Sequence, residues 1–188
     1  MRKAVIDIDG VLNYYPQTFI DYCNHVTGNS FRTLLEVKNS LSYNDYKRLK
    51  HEYRCSSFKH DAKVASGAHE LFEYLKNNDY LIYIVTSRQL FADDCLENTI
   101  KWLKKNDLHY DYIYCSVKKD FTIFEKFGHV DIVVEDNVDN INNIRRINGD
   151  DCFYANIVNA ENINEECDGF RFCSLADFVT FITGKVIA

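Results

Sequence analysis

The chain has 188 residues, 28 of them acidic and 22 basic, for a net charge of −6. With 46% hydrophobic and 27% charged residues, the composition is that of a soluble globular protein and excludes disordered, collagen-like and fibrous classes. The acidic balance argues against a nucleic-acid polymer as partner. No apolar run approaches the roughly 20 residues of a membrane helix. Met1-Arg2-Lys3 leads straight into a short apolar strand, without the long apolar stretch of a signal peptide, so the expected location is the cytoplasm. The 7 cysteines are odd in number and show no C-x-x-C spacing, which argues against a disulfide framework or a structural zinc site.

In chain order, Ala4 to Ile8 is a short apolar strand that ends in acidic residues and Gly10. From about Asn13 to Ala65 only helical patterns follow. Phe19, Tyr22, Cys23 and Val26 form one stripe ending at Gly28. Ser30 can cap a second helix carrying Phe31, Leu34 and Leu35, and Ser42 with Asp45 can cap a third carrying Tyr46, Leu49 and Tyr53. Ala68, Leu71, Phe72 and Leu75 then mark a helix, Tyr80 to Val85 a strand, and Leu96, Thr99, Ile100 and Leu103 another helix. Tyr110 to Cys115 is strand-like. Phe121, Phe124 and Phe127 line a short helix before Gly128. Val130 to Val134 is a fourth strand, Ile141, Ile144 and Ile147 a helix stopped by Gly149, and Cys152 to Val158 a fifth strand. Ser174 and Asp177 open a last helix with Leu175, Phe178, Val179 and Ile182.

Apolar strands without alternation, separated by helices, predict an α/β fold. Its core is a Rossmann-like, doubly wound parallel sheet of about five strands covered on both faces. The expected division is a core of residues 1–12 and 66–188 with a helical cap, 13–65, inserted after the first strand. In such a sheet ligands bind at the carboxyl ends of the strands.

Those strand ends are polar. The first runs Ile6-Asp7-Ile8-Asp9-Gly10-Val11, the second Val85-Thr86-Ser87-Arg88, and the fourth Val134-Glu135-Asp136-Asn137; Ser116, Lys118 and Lys119 follow the third. Asp7, Asp9 and Asp136 make an oxygen-rich set suited to Mg²⁺. Thr86, Ser87 and a lysine supply donors for phosphoryl oxygens. An aspartate can act as nucleophile, and a second carboxylate can protonate the leaving oxygen and then activate water. The chemistry expected is phosphoryl transfer on a small-molecule phosphate ester.

With these residues in this order, the chain resembles the haloacid dehalogenase (HAD) superfamily of phosphohydrolases over nearly its whole length. Asp7-Ile8-Asp9-Gly10-Val11 matches the first motif, Thr86 the second, a lysine near 119 the third and Glu135-Asp136 the fourth. The resemblance implies that Asp7 is the nucleophile and Asp9 the general acid/base, its carbonyl also meeting the metal. It implies that Gly10, Thr86, Ser87 and Lys119 hold the phosphoryl group and that Asp136 ligates Mg²⁺, with Glu135 as direct or water-mediated helper. Lys118 and Lys126 are alternatives to Lys119. The insertion point and the Asp-x-Asp-Gly-Val-Leu and Thr-Ser sequences are similar to the 5′(3′)-deoxyribonucleotidase group and its bacterial relatives, although Arg88 replaces the proline of the eukaryotic members. Sugar phosphatases share the same residue set, and a catalytically idle binding protein of the same fold is the other alternative.

Tyr14, Tyr15 and Arg88 are candidates for substrate contact. The basic stretch Lys47, Arg48, Lys50, His51, Arg54, Lys59, His60 and Lys63 reads as a solvated helix face, with a patch that steers an anionic substrate to the site as the alternative. A receiver-like signalling domain is disfavoured because Tyr114-Cys115-Ser116 ends the third strand with no aspartate. The 14% aromatic content can fill the core or a homodimer face.

Overall fold

The computed structural model describes residues 1–87, 93–116 and 118–187, with backbone alone for 93–95, 121 and 124. Arg88 lies outside the described residues, as do the side chains of Phe121 and Phe124. The strands are β1 (Arg2–Ile6), β2 (Tyr80–Thr86), β3 (Tyr112–Cys115), β4 (Ile132–Glu135), β5 (Phe153–Ile157) and β6 (Phe170–Phe172). They form one sheet in the order β3-β2-β1-β4-β5-β6, and all five pairings are parallel. The sheet is thus the expected doubly wound one with a strand more than expected. β6 is only three residues long and mostly exposed, too short to show a period. Its Phe170 ring stacks on Phe153 at 4.8 Å.

The strands are apolar on both sides because both faces are covered. Ala4 and Ile6 of β1 point into one apolar cluster, with Leu71, Leu75, Leu103 and Phe178 from the helices α5 (Ala68–Asn77), α6 (Asp93–Lys105) and α9 (Leu175–Thr183). Val5 points the other way, into a cluster with Phe127, Ile141 and Ile144 from α7 (Lys119–Phe127) and α8 (Val138–Asn148). The order of strands reverses between β1 and β4, and the crevice that opens at such a reversal is where ligands bind.

Four helices fill the segment after β1: α1 (Gln17–Thr27), α2 (Leu34–Ser40), α3 (Tyr43–Arg54) and α4 (Ser57–His60). They bury an apolar cluster of their own around Phe19, Val37, Leu49 and Tyr53. Ser42 caps α3 as expected, accepting from the Asp45 N–H at 3.1 Å. The second helix starts later than expected. Thr33, not Ser30, accepts from the Glu36 N–H at 3.1 Å, while Glu36 reaches back to the Arg32 N–H at 2.6 Å. That reciprocal pairing satisfies two N-terminal donors together, which Ser30 could not do from its place. Leu35, expected on the buried stripe, is consequently 62% exposed. Among the described residues no helix is long and apolar enough to cross a membrane.

Phe178 is fully buried, with its ring 5.2 Å from Phe172 and 5.9 Å from Phe153. Phe178→Ala is expected to lower unfolding free energy by roughly 3–5 kcal/mol through lost burial and the cavity left behind. Urea denaturation of both proteins measures this, and a shift under 1 kcal/mol would contradict the described packing.

Candidate active site

The register of the sheet brings the polar strand ends level. Ile6 pairs with Ile84 on one side and Val134 on the other, and the next amide, Asp7 N–H, donates to the Val134 carbonyl at 3.0 Å. Asp7 and Glu135 therefore emerge side by side, Thr86 ends the neighbouring β2 one residue further on, and all three are buried. Lys119, the first residue of α7, reaches across from the end of β3. Its Nζ lies 2.8 Å from Asp7 Oδ1 and 2.6 Å from Glu135 Oε2, and the side chain is only 2% exposed. The alternatives Lys118 and Lys126 are both exposed, and neither pairs with these carboxylates. α7 begins at Lys119, so a shift of one residue turns Lys118 outward.

Asp136 completes the cluster. Carboxylate oxygens of Asp7, Glu135 and Asp136 lie within 4.8 Å of one another. Lys119 pairs with two of these three carboxylates, and burial with mutual repulsion raises Asp7 and Asp136. Burial first, then the Glu135 carboxylate, pushes Asp7 up to about 7 despite the opposing Lys119. Burial, Glu135 and Asp7 likewise raise Asp136 well above the usual carboxylate range. Burial alone would lower the Lys119 ammonium, but Asp7 and Glu135 outweigh it and hold the group above its ordinary value. An all-oxygen donor set with surplus negative charge fits a hard divalent cation such as Mg²⁺.

Gly10 leaves room for this arrangement. Its φ is +84°, and a Cβ there would stand 2.1 Å from Asp136 Oδ2. The position therefore excludes any side chain on two counts, conformation and space.

Asp9 sits nearer the surface, 27% exposed, and accepts from Asn13 Nδ2 at 2.9 Å. It also accepts from Lys59 Nζ, which arrives from α4 of the inserted helices. Lys59 is 7% exposed, so the reading of the whole basic stretch as a solvated face is wrong at this residue. The physical reason is that α4 turns back toward the sheet, and Asp9 offers a charge partner there.

A cleft of about 390 Å³ lies between the strand ends and the inserted helices. Asp7, Asp9, Thr86, Ser87, Lys119, Glu135 and Asp136 line it from the sheet. Tyr15 lines it too, and burial raises its hydroxyl well above its usual range. Tyr14 is placed elsewhere. It is 48% exposed and does not line the cleft, and its hydroxyl accepts from the Ser66 N–H at 3.1 Å. Arg88 is outside the described residues.

Three asparagines escaped the sequence reading. Asn156 and Asn162 donate to the Asp136 carbonyl at 2.9 and 2.6 Å, and Asn159 donates to Asp136 Oδ2 at 3.0 Å. They stand at and just beyond the end of β5, so the strand-end rule, applied once more, would have found them.

Sequence comparison finds no matching family model and no matching curated protein. Structure comparison does find relatives. A putative beta-phosphoglucomutase from Thermotoga maritima superposes with a TM-score of 0.71 at 15% identity, covering 98% of this chain and 99% of that one. The fold is that of the HAD hydrolases. A predicted phosphatase from Clostridium acetobutylicum has a TM-score of 0.66 at 13% identity over 98% and 99% of the two chains. A HAD hydrolase of family IA, variant 3, from Entamoeba histolytica has 0.57 at 19% over 93% and 94%. On this HAD fold the carboxylate cluster occupies the carboxyl end of the sheet at the strand-order reversal.

Two outcomes are expected. In EDTA, the folded Asp7 carboxyl, raised to about 7, should keep its proton at pH values where the unfolded chain, with an ordinary value of 3.8, has released it. The native state thus binds more protons between those limits, so stability falls as pH rises from about 4 to about 7. Thermal unfolding should show this slope, and Asp7→Asn should flatten it; an unchanged slope would place the burden on another group. Gly10→Ala should push Asp136 aside and weaken Mg²⁺ binding roughly 10–100-fold, measured by calorimetry.

Proposed function

We propose that the protein is a Mg²⁺-dependent phosphomonoesterase that hydrolyses a small phosphate ester through an aspartyl-phosphate intermediate. The observation that carries this reading is the buried cluster at the base of the cleft. Asp7 is paired to Lys119 at 2.8 Å, with Glu135 and Asp136 alongside and Thr86 at the neighbouring strand end.

Asp7, Glu135 and Asp136 are the residues that would hold the metal. When bound, Mg²⁺ neutralises the excess carboxylate charge and polarises the phosphoryl oxygens. Lys119 fixes the Asp7 carboxylate and lends positive charge to the phosphoryl group. Thr86 and Ser87 offer hydroxyl donors to the remaining phosphoryl oxygens. An Asp7 oxygen bonds to phosphorus as the ester P–O bond breaks, and Asp9 gives a proton to the departing alcohol. Water then attacks phosphorus, Asp9 takes its proton, and phosphate leaves with Asp7 restored. The inserted helices act as a cap over the strand ends, and from them Lys59 pairs with Asp9 Oδ1 beside the reacting group. Within this reading, 5′-deoxyribonucleotides and sugar phosphates are the two substrate groups the sequence resemblance suggests, and Tyr15 is the aromatic wall available to either.

Phosphate release from deoxynucleoside monophosphates and sugar phosphates, with Mg²⁺ and with EDTA, tests this. Turnover should require the metal, and Asp7→Asn should lower it roughly 10³-fold or more with the fold retained. Metal-independent turnover, or full activity in Asp7→Asn, would overturn the mechanism. A protein that binds Mg²⁺ and ester but releases nothing would be the idle relative.

A further inference from the structure

The phosphoesterase chemistry uses the sheet side of the cleft and leaves its other wall unexplained. That wall is cationic. Lys50 and Arg54 stand one turn apart on α3, both half-buried, and both line the cleft. The neighbouring cations are paired. Lys38 meets Glu161 at 3.5 Å, Arg48 meets Asp45 and Glu52 at 3.5 and 3.0 Å, and Lys59 meets Asp9. Among the described residues no carboxylate lies within ion-pair reach of Lys50 or Arg54. The acids of α3 itself are spent on Arg48, on its outer face.

Lys50 Nζ instead rests near two rings, 5.8 Å from the centre of Tyr46 and 6.0 Å from that of Tyr15. These contacts orient the ammonium without neutralising it. Burial, with Arg54 and Lys38 nearby, lowers the ammonium below its ordinary range. Half-burying a cation without a partner costs free energy that an arriving anion recovers. The Arg54 guanidinium adds a planar fork of donors shaped for a carboxylate or phosphate.

The spacing bounds the ligand. Lys59 Nζ, which touches Asp9, and Lys50 Nζ both lie within 6.0 Å of the Tyr15 ring centre, so the two charges are at most twice that distance apart. A small molecule can therefore span from the reacting phosphoryl group to the Lys50–Arg54 pair. A cleft of about 390 Å³ suits such a ligand.

We propose that the substrate is a small phosphate ester carrying a second anionic group, a carboxylate or a second phosphate, at its far end, seated on Lys50 and Arg54. This rests on the phosphoesterase reading and goes past it by naming the substrate class. A nucleoside monophosphate, with its one phosphate already at Asp7, brings nothing to neutralise that pair.

Two matched pairs of probes test the proposal: glycerol 3-phosphate against 3-phosphoglycerate, and fructose 6-phosphate against fructose 1,6-bisphosphate. Phosphate release with Mg²⁺ should favour the doubly anionic member at least about tenfold in kcat/KM, chiefly through KM. The first pair reports a carboxylate and the second a phosphate, so the larger ratio identifies the group. The Lys50→Met/Arg54→Met variant keeps the aliphatic stems and should bring both ratios close to one. Arg54→Lys should keep part of the preference. If the double variant unfolds, as judged by its urea midpoint, Arg54→Gln alone replaces it.

Calorimetry on the Asp7→Asn protein reads binding of the same four probes without turnover. Equal affinity within both pairs, or a preference that survives the double variant, would overturn the proposal. If wild type hydrolyses a deoxynucleoside monophosphate but none of the four probes, the proposal is overturned; if it hydrolyses neither, the phosphoesterase reading is what fails, and the calorimetric ratios still decide the anion site on their own.

Discussion

The structure depends on one buried ammonium. Lys119 is 2% exposed and lies within 3 Å of both Asp7 and Glu135, at 2.8 and 2.6 Å. Taking carboxylates out of water is costly unless a partner and good geometry compensate, and in a low-dielectric interior each partner counts for more. Without Lys119, the ends of β1 and β4 could not carry Asp7, Glu135 and Asp136 so close together. With it, burial first and the neighbouring carboxylates second still raise Asp7 and Asp136 above the usual carboxylate range. A divalent cation and a phosphoryl group are the natural complement of this charge distribution.

The fold supplies the precision this cluster needs. Parallel register sets Ile6 beside both Ile84 and Val134, so Asp7 and Glu135 rise to the same height and Thr86 follows one residue later on β2. Glu135 is the last residue of β4, and Asp7 and Asp136 are the first residues beyond β1 and β4, so the sheet positions all three. Asn156, Asn159 and Asn162 clamp Asp136 through its carbonyl and one carboxylate oxygen, which holds its backbone while leaving the cluster open to a ligand. Gly10 removes the one Cβ that would collide with Asp136.

The inserted helices contribute the opposite charge. Their own small apolar cluster lets them hold shape, and α3 and α4 turn Lys50, Arg54 and Lys59 toward the acidic strand ends. The cleft is thus built from an anionic floor and a cationic roof. Lys59 on Asp9 and Lys38 on Glu161 are ion pairs that join them across the cleft. This division of labour separates the chemistry, set by the sheet, from recognition of the remainder of the ligand, set by the helices.

Much of this was legible in the chain itself. Unalternating apolar runs reveal strands buried on both faces, and the polar residues just after them mark the ligand-binding end, because both signals are local. Caps such as Ser42–Asp45 and Ser174–Asp177 are local as well, and the structure keeps them. Where two caps compete locally, as Ser30 and Thr33 do, the reciprocal bond from Glu36 decides, and that depends on where the helix is held. Lys119 rather than Lys118, Tyr15 rather than Tyr14, and Lys59 out of a run of basic residues are choices of facing. Facing is fixed by which element packs on which, through contacts 50 residues apart in the case of Lys59 and Asp9. The sequence alone determined which chemistry gathers at the strand ends. Only the tertiary structure decided which side chains meet there, because charge pairing in a buried site depends on distances of a few ångströms between segments far apart in the chain.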